Sequence, residues 1–247
     1  AEPLFRSRSK DRLPFVLLLL FALLAALPSK AQEQGSQRSR PAIRFNGGYH
    51  HAQRIALFKR EGGIDSTTIV MLGNSLTENG KDWAERIGTS QKVVNRGIIG
   101  DNTIGMTDRL YQITPFHPRA IFLMAGINDM VGNTTYEEVA CRVIDLIEAI
   151  RSQSPQTQLF VQSILPIDET EGRWKTLAGR TDDIPFANML IKAYCDTHAI
   201  PFVDIFCQMT RSHSNQLRAE LSGDGLHLTE EGYRIWASIL KRYINKL

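Results

Sequence analysis

Cysteine is scarce in this chain: Cys141, Cys195 and Cys207 are the three among 247 residues. No two stand in a CxxC spacing, which argues against a zinc site, and at most one disulfide could form. All three fall in apolar stretches, where a buried free thiol is the expected state. Long hydrophobic runs are missing too. Phe15–Leu27 spans thirteen residues, short of the ~20 that a membrane-crossing helix needs. A charge surplus is also absent from the body of the chain. The formal net charge is +3, but the first 31 residues hold five Lys/Arg and two Asp/Glu, so beyond them 24 basic residues balance 24 acidic ones. Nothing here calls for nucleic acid as a partner. No spacing suggests a metal or nucleotide site, so no cofactor is expected.

What is present begins with a leader. Arg6, Arg8, Lys10 and Arg12 precede the apolar run, and Pro28-Ser29-Lys30-Ala31 follows it. A positive flank, a short apolar core and small residues before a break describe a secretory signal peptide. Residues 1–31 are therefore expected to be removed after Ala31, placing the mature protein in the periplasm or outside the cell without a membrane span. An uncleaved N-terminal anchor is the competing reading. Residues 32–45, rich in Gln, Ser and Arg, read as a linker. Residues 46–247 read as one domain, long enough to bury a sizeable core.

Apolar β-branched runs alternate with amphipathic stretches along that domain. The strand expectations are 67–72, 92–95, 120–125, 158–164 and 201–204. Helices are expected over 49–59, 83–87, 103–113, 136–152, 186–197 and from 230 to about 246. The helix over 136–152 carries Val139, Val143, Ile144, Ile147 and Ile150 on one face. Thr134 or Thr135 followed by Glu137 and Glu138 marks its start. The 49–59 segment, with Ala52, Ile55, Ala56 and Phe58, should pack on the outside of the sheet. Five strands alternating with helices imply a three-layer α/β/α fold with a parallel sheet. The common flavodoxin-like order for five strands is 2-1-3-4-5.

That order has a chemical consequence. The run Ile69-Val70-Met71-Leu72 ends in Gly73-Asn74-Ser75, delivering Ser75 to a strand-to-helix turn. Ligands bind outside the carboxyl ends of such strands. Strand 1 lies between strands 2 and 3, so Ser75 is flanked by the turns holding Gly100 and Asn128. A serine attacking an ester needs donors where the oxyanion forms. The Ser75 N–H at a helix start, the Gly100 N–H and the Asn128 side-chain amide are the candidates. Asp224 and His227 stand three apart before the last helix. In a turn of near-helical shape they share a face, so the carboxylate could orient the imidazole toward Ser75. Each residue also has a plainer use: Ser75 or His227 as a helix cap, Asn128 as a turn former.

These pieces resemble the SGNH hydrolases, also called the GDSL esterase family. Its four blocks are matched by Gly73-Asn74-Ser75-Leu76, by Gly100 within Asn95-Arg96-Gly97-Ile98-Ile99-Gly100-Asp101, by Gly126-Ile127-Asn128-Asp129, and by Asp224-Gly225-Leu226-His227. They come in family order over residues 73–227. The resemblance is greatest to platelet-activating-factor acetylhydrolase subunits and bacterial carbohydrate acetylesterases. It implies Ser75 as nucleophile, His227 as base, Asp224 as its partner, and Ser75, Gly100 and Asn128 as oxyanion donors. Asn74 stands where the family usually has Asp, which predicts an altered turn or hydrogen-bond network. The G-x-S-x-G elbow of α/β-hydrolases fits poorly, because Thr77 occupies its last Gly position.

The expected activity is hydrolysis of short acyl esters, most of all acetyl, on a carbohydrate or related small molecule. A lysophospholipase or thioesterase is the enzymatic alternative, and a non-catalytic carbohydrate-binding protein the other. Trp174, in the long polar segment 166–182, is the better of the tryptophan candidates for stacking on a sugar, ahead of Trp83. His50, His51, His117, His198 and His213 receive no role. The oligomeric state is open.

Overall fold

The computed structural model describes residues 48–247. The expected leader, 1–31, and linker, 32–45, lie outside the described residues. Five strands form one parallel sheet: β1 (Ile69–Gly73), β2 (Val93–Gly97), β3 (Ala120–Leu123), β4 (Gln158–Gln162) and β5 (Phe202–Val203). Their order is β2-β1-β3-β4-β5, as anticipated. Ile69 pairs with Val93 on one side and Ala120 on the other, so β1 is central and all five of its residues are buried. Burial on both faces is why its sequence is continuously apolar rather than alternating.

Eight α-helices cover the sheet among the described residues: α1 (Gly48–Glu61), α2 (Ser75–Glu78), α3 (Trp83–Ile87), α4 (Thr103–Asp108), α5 (Tyr136–Gln153), α6 (Asp183–Thr197), α7 (Phe206–Met209) and α8 (Glu230–Ile244). The α5 start has the anticipated capping box: Thr135 Oγ1 accepts the Glu138 N–H, and the Glu138 carboxylate accepts the Thr135 N–H at 3.2 Å. Its buried face is Val139, Val143, Leu146, Ile147 and Ile150, with Ile144 only half-buried. On α8, capped by Thr229, Trp236, Ile239 and Leu240 are buried, while Ile235 and Tyr243 lie at the core's edge.

Several expectations are corrected. Helix α1 does not bury an apolar stripe: only Phe58 is buried, and Ala52 and Ala56 face solvent. Two alanines are too small to drive docking; Phe58 packs against the Arg54 and Arg96 guanidinium groups, and His50 and Arg54 add polar contacts to Glu78 and the Gly97 carbonyl. The segment 103–113 is not one helix. It stops at Asp108 and continues as 3₁₀ turns over Leu110–Gln112 and Thr114–Phe116. Arg109 leaves helical geometry there, with φ −108 and ψ 9. Its side chain is drawn into the core, where it bonds Asp101 and the Gly73 carbonyl. The helix α7 was not anticipated. Its start is set by Ser163 Oγ accepting the Ile205 and Phe206 N–H groups at 2.9 Å each. All three cysteines are free, but only Cys195 is buried; Cys141 and Cys207 lie on outer helix faces.

The end of β1 is held from several directions. Trp83 Nε1 donates to the Thr77 carbonyl at 3.0 Å, and the Tyr233 hydroxyl donates to the Leu76 carbonyl at 2.9 Å. Burial raises the Tyr233 hydroxyl well above the ordinary tyrosine range, so it stays a neutral donor. Gly97 lets α2 cross β2 closely, since a Cβ there would fall 2.2 Å from the Glu78 nitrogen. The turn after β1 is thereby held by contacts from α3, α8 and β2.

Candidate active site

Asn74, not Ser75, caps α2: its Oδ1 accepts the Leu76 N–H at 3.0 Å. Ser75 is the first residue of the helix, so its hydroxyl is free of capping duty. Asn74 is wholly buried, and its Nδ2 has no hydrogen-bond partner. The cap is intact, and the Asn74 N–H pair is left unpaired among the described residues.

The Ser75 hydroxyl meets His227 Nε2 at 3.1 Å, across 152 residues of sequence. His227 Nδ1 meets Asp224 Oδ2 at 2.8 Å. Asp224 and His227 do not lie on a helical turn as expected. Residues 222–227 form an irregular loop in which Asp224 Oδ1 accepts the Leu226 and His227 N–H groups at 3.0 and 2.7 Å. This self-closing Asx-type turn brings positions i and i+3 together without a helix. Ser222, which sequence reasoning missed, braces the loop: its hydroxyl donates to the His227 carbonyl at 2.7 Å and accepts the Gly225 N–H at 2.9 Å.

These contacts fix the protonation pattern. Partial burial works to raise the Asp224 carboxyl, but the bonds from the His227 ring and from the Leu226 and His227 amides outweigh it and hold it at about 2. An ionised carboxylate only accepts, so Nδ1 carries the imidazole proton. Nε2 is then the acceptor for the Ser75 O–H. The arrangement can draw a proton from the hydroxyl and keep the resulting imidazolium beside an anion.

Donors surround the hydroxyl's end of the sheet. Neither the Ser75 nor the Gly100 N–H donates to any group among the described residues. Gly100 is exposed with φ +79, a backbone conformation that favours glycine. Asn128 lies on a 3₁₀ turn, Ile127–Met130, and donates one Nδ2 hydrogen to the Asp101 carbonyl at 2.8 Å. The second hydrogen of that amide is available to a ligand. The Ile98 N–H donates to the Gly73 carbonyl at 3.1 Å, tying the Gly100 turn to the strand end that precedes Ser75. All five residues singled out from the sequence thus stand at one edge of the sheet. Ser75, His227 and Asp224 are bonded to one another directly.

A buried pair beneath them was not legible in the sequence. Arg109 Nε donates to Asp101 Oδ2 at 2.7 Å and its Nη2 to the Gly73 carbonyl at 3.1 Å. Burial pushes the Asp101 carboxyl up to about 6, against the opposing pull of Arg109. Asp129, next to Asn128, accepts the Thr103 hydroxyl at 2.6 Å, and burial raises its carboxyl as well. Trp174 stands against His227, with ring centroids 5.2 Å apart at 72°. Among the described residues no group of three or more His, Cys, Asp or Glu could hold a metal ion, and no helix is long and apolar enough to cross a membrane.

The GDSL-like lipase/acylhydrolase family model matches residues 65–235, well over half of the chain. The chain belongs to this family. It is an ester-hydrolysing enzyme, and the family's fold is the α/β/α sheet described above. Among solved structures, it is similar to a proposed acylhydrolase of Bacteroides fragilis, at 22% identity and a TM-score of 0.70, covering 82% of this chain and 98% of that one. A GDSL-like lipase of Bacteroides thetaiotaomicron aligns at 23% identity and a TM-score of 0.68, over 78% of this chain and 97% of that one. A Streptococcus pneumonia protein described as a proposed platelet activating factor aligns at 25% identity and a TM-score of 0.66, over 79% and 92%. No curated protein matches the sequence.

Proposed function

We propose that this GDSL-family esterase removes short acyl groups, above all acetyl, from a carbohydrate or similar small molecule. Ser75 attacks the ester carbonyl while His227 takes its proton. The tetrahedral oxyanion is met by the Ser75 and Gly100 N–H groups and the Asn128 amide. Collapse expels the alcohol, protonated by His227, and leaves an acyl-Ser75. Water activated by the same imidazole then releases the acid. The observation that carries the reading is the unbroken Ser75–His227–Asp224 chain, at 3.1 and 2.8 Å.

The short acyl group rests on the resemblance to acetylhydrolases and carbohydrate acetylesterases carried by the sequence blocks. The small cavity of about 90 Å³ between Trp174, Leu177, Gly225 and Leu226 has neither Ser75 nor His227 in its lining and carries no argument on acyl length. The half-exposed Trp174 ring beside His227 offers a face for a sugar. One observation favours a second reading, a lysophospholipase or thioesterase. Ile99, Val131 and Trp174 are all exposed apolar residues on loops leaving the same sheet edge, a rim that would suit a longer chain. Activity on p-nitrophenyl esters from acetyl to decanoyl separates the two. We expect kcat/KM to be highest for acetyl and to fall with length; a maximum at eight or more carbons would overturn the acetyl assignment. Release of acetate from acetylated sugars then tests the carbohydrate. Export through a leader cleaved after Ala31 belongs to this proposal on the sequence alone, and the mass of the secreted chain checks it.

The oxyanion role assigned to Asn128 has its own test. Asn128→Ala is expected to lose about 2.7–4 kcal/mol of transition-state stabilisation, read as kcat. An unchanged kcat would remove Asn128 from that role.

A further inference from the structure

The turn that presents the Gly100 N–H is gripped from outside the triad. Residues Ile98–Asp101 are closed by the Asp101 N–H on the Ile98 carbonyl at 3.1 Å. Gly100, third in the turn, has φ +79, and Ile99, second in the turn, is not among the residues with positive φ. Those features together define a type II turn. Types I and II differ by a flip of the middle peptide, here Ile99–Gly100, so the turn type decides which way the Gly100 N–H points.

Glu78 reaches this turn from α2, three residues beyond Ser75. Its Oε2 accepts the Ile99 N–H at 2.6 Å. The same carboxylate meets His50 Nε2 at 3.0 Å and Arg54 Nε at 3.3 Å, both from α1. Arg54 also donates to the Gly97 carbonyl, at 3.3 Å from Nε and 3.1 Å from Nη2. The Glu78 side chain is only 13% exposed. Charge-assisted bonds of this kind are the strong ones in a partly dry setting. We infer that Glu78 is a positioning residue for the oxyanion-binding turn: through the Ile99 N–H it holds the Ile98–Ile99 peptide, and with it the turn that presents the Gly100 N–H, to the helix that carries the nucleophile, with His50 and Arg54 of α1 holding its carboxylate in place. This rests on the esterase mechanism proposed above. It also gives α1 a function that its exposed alanines conceal.

The test measures kcat, KM and Tm with p-nitrophenyl acetate for the parent, Ser75→Ala, Glu78→Ala and Glu78→Gln. A misplacement of about 1 Å costs about 10²-fold in rate, so Glu78→Ala is expected to lower kcat about 10- to 100-fold while KM stays within about twofold. Glu78→Gln keeps an oxygen able to accept the Ile99 N–H and should recover most of kcat. Ile99→Pro approaches the same bond from the other side. It removes the N–H but presets the φ that the second position of a type II turn needs. In that background Glu78→Ala should cost less than about threefold in kcat, because the turn no longer depends on the carboxylate. A Glu78→Ala kcat within about twofold of the parent, a Gln variant as slow as the Ala one, or full additivity with Ile99→Pro would each overturn the inference. If Ser75→Ala keeps the parental rate, the esterase mechanism itself has failed, which is a separate result.

Discussion

Replacing Ser75 with alanine is expected to lower kcat for p-nitrophenyl acetate by about 10⁴–10⁶-fold, with KM near the parental value. On the proposed mechanism the hydroxyl forms the bond to the acyl carbon, so its loss leaves only the oxyanion donors and binding, worth about 10³–10⁴ over water. The fold should scarcely notice. The cap of α2 is supplied by Asn74, the Leu76 and Thr77 carbonyls remain held by Tyr233 and Trp83, and the one hydrogen bond lost is that to His227. An unchanged Tm beside a collapsed kcat would separate this from the reading of Ser75 as a helix cap, which predicts the reverse. Adding His227→Ala to Ser75→Ala should cost little more, because the two act as a unit. A Ser75→Ala protein with parental turnover would end the assignment.

The residues that meet at this edge were legible because each sits where a pattern breaks. The apolar run of β1 stops at Gly73-Asn74-Ser75, and the strand order then places the Gly100 and Asn128 turns on either side. What holds those turns was not legible. The bonds of Glu78 to the Ile99 N–H, of Arg109 to Asp101 and of Ser222 to the His227 carbonyl are made by polar side chains whose types also suit a solvated surface. Only the folded chain brings them together. Helix α1 shows the opposite failure. Its spacing of Ala52, Ile55, Ala56 and Phe58 suggested an apolar stripe, yet of these only Phe58 is buried, and His50 and Arg54 supply the polar contacts to the rest of the fold. A periodicity argument weighs apolar residues and is blind to an ionic latch. The 224–227 loop misled in shape but not in consequence, since an Asx turn and a helical turn both bring i and i+3 into contact.

Asp224→Asn carries the second large effect and joins the chemistry to stability. The amide oxygen can still accept the Leu226 and His227 N–H groups, so the loop should keep its shape. The amide nitrogen, however, cannot accept the proton on Nδ1. The imidazole then settles with its proton on Nε2, facing Ser75, and has no lone pair for the hydroxyl. A fall in kcat of about 10⁴-fold is expected, with KM little altered. Stability supplies an independent check. The Asp224 carboxyl sits at about 2 in the fold against an ordinary 3.8. A depressed carboxyl adds stability above its unfolded value and loses it as pH falls toward the folded one. The parent should therefore lose Tm more steeply than Asp224→Asn between pH 3.8 and about 2. Parallel Tm curves would mean that the carboxylate contributes nothing to the fold through its bonds to His227. A kcat within tenfold of the parent would mean that it contributes little to the chemistry either, leaving His227 to choose its tautomer unaided.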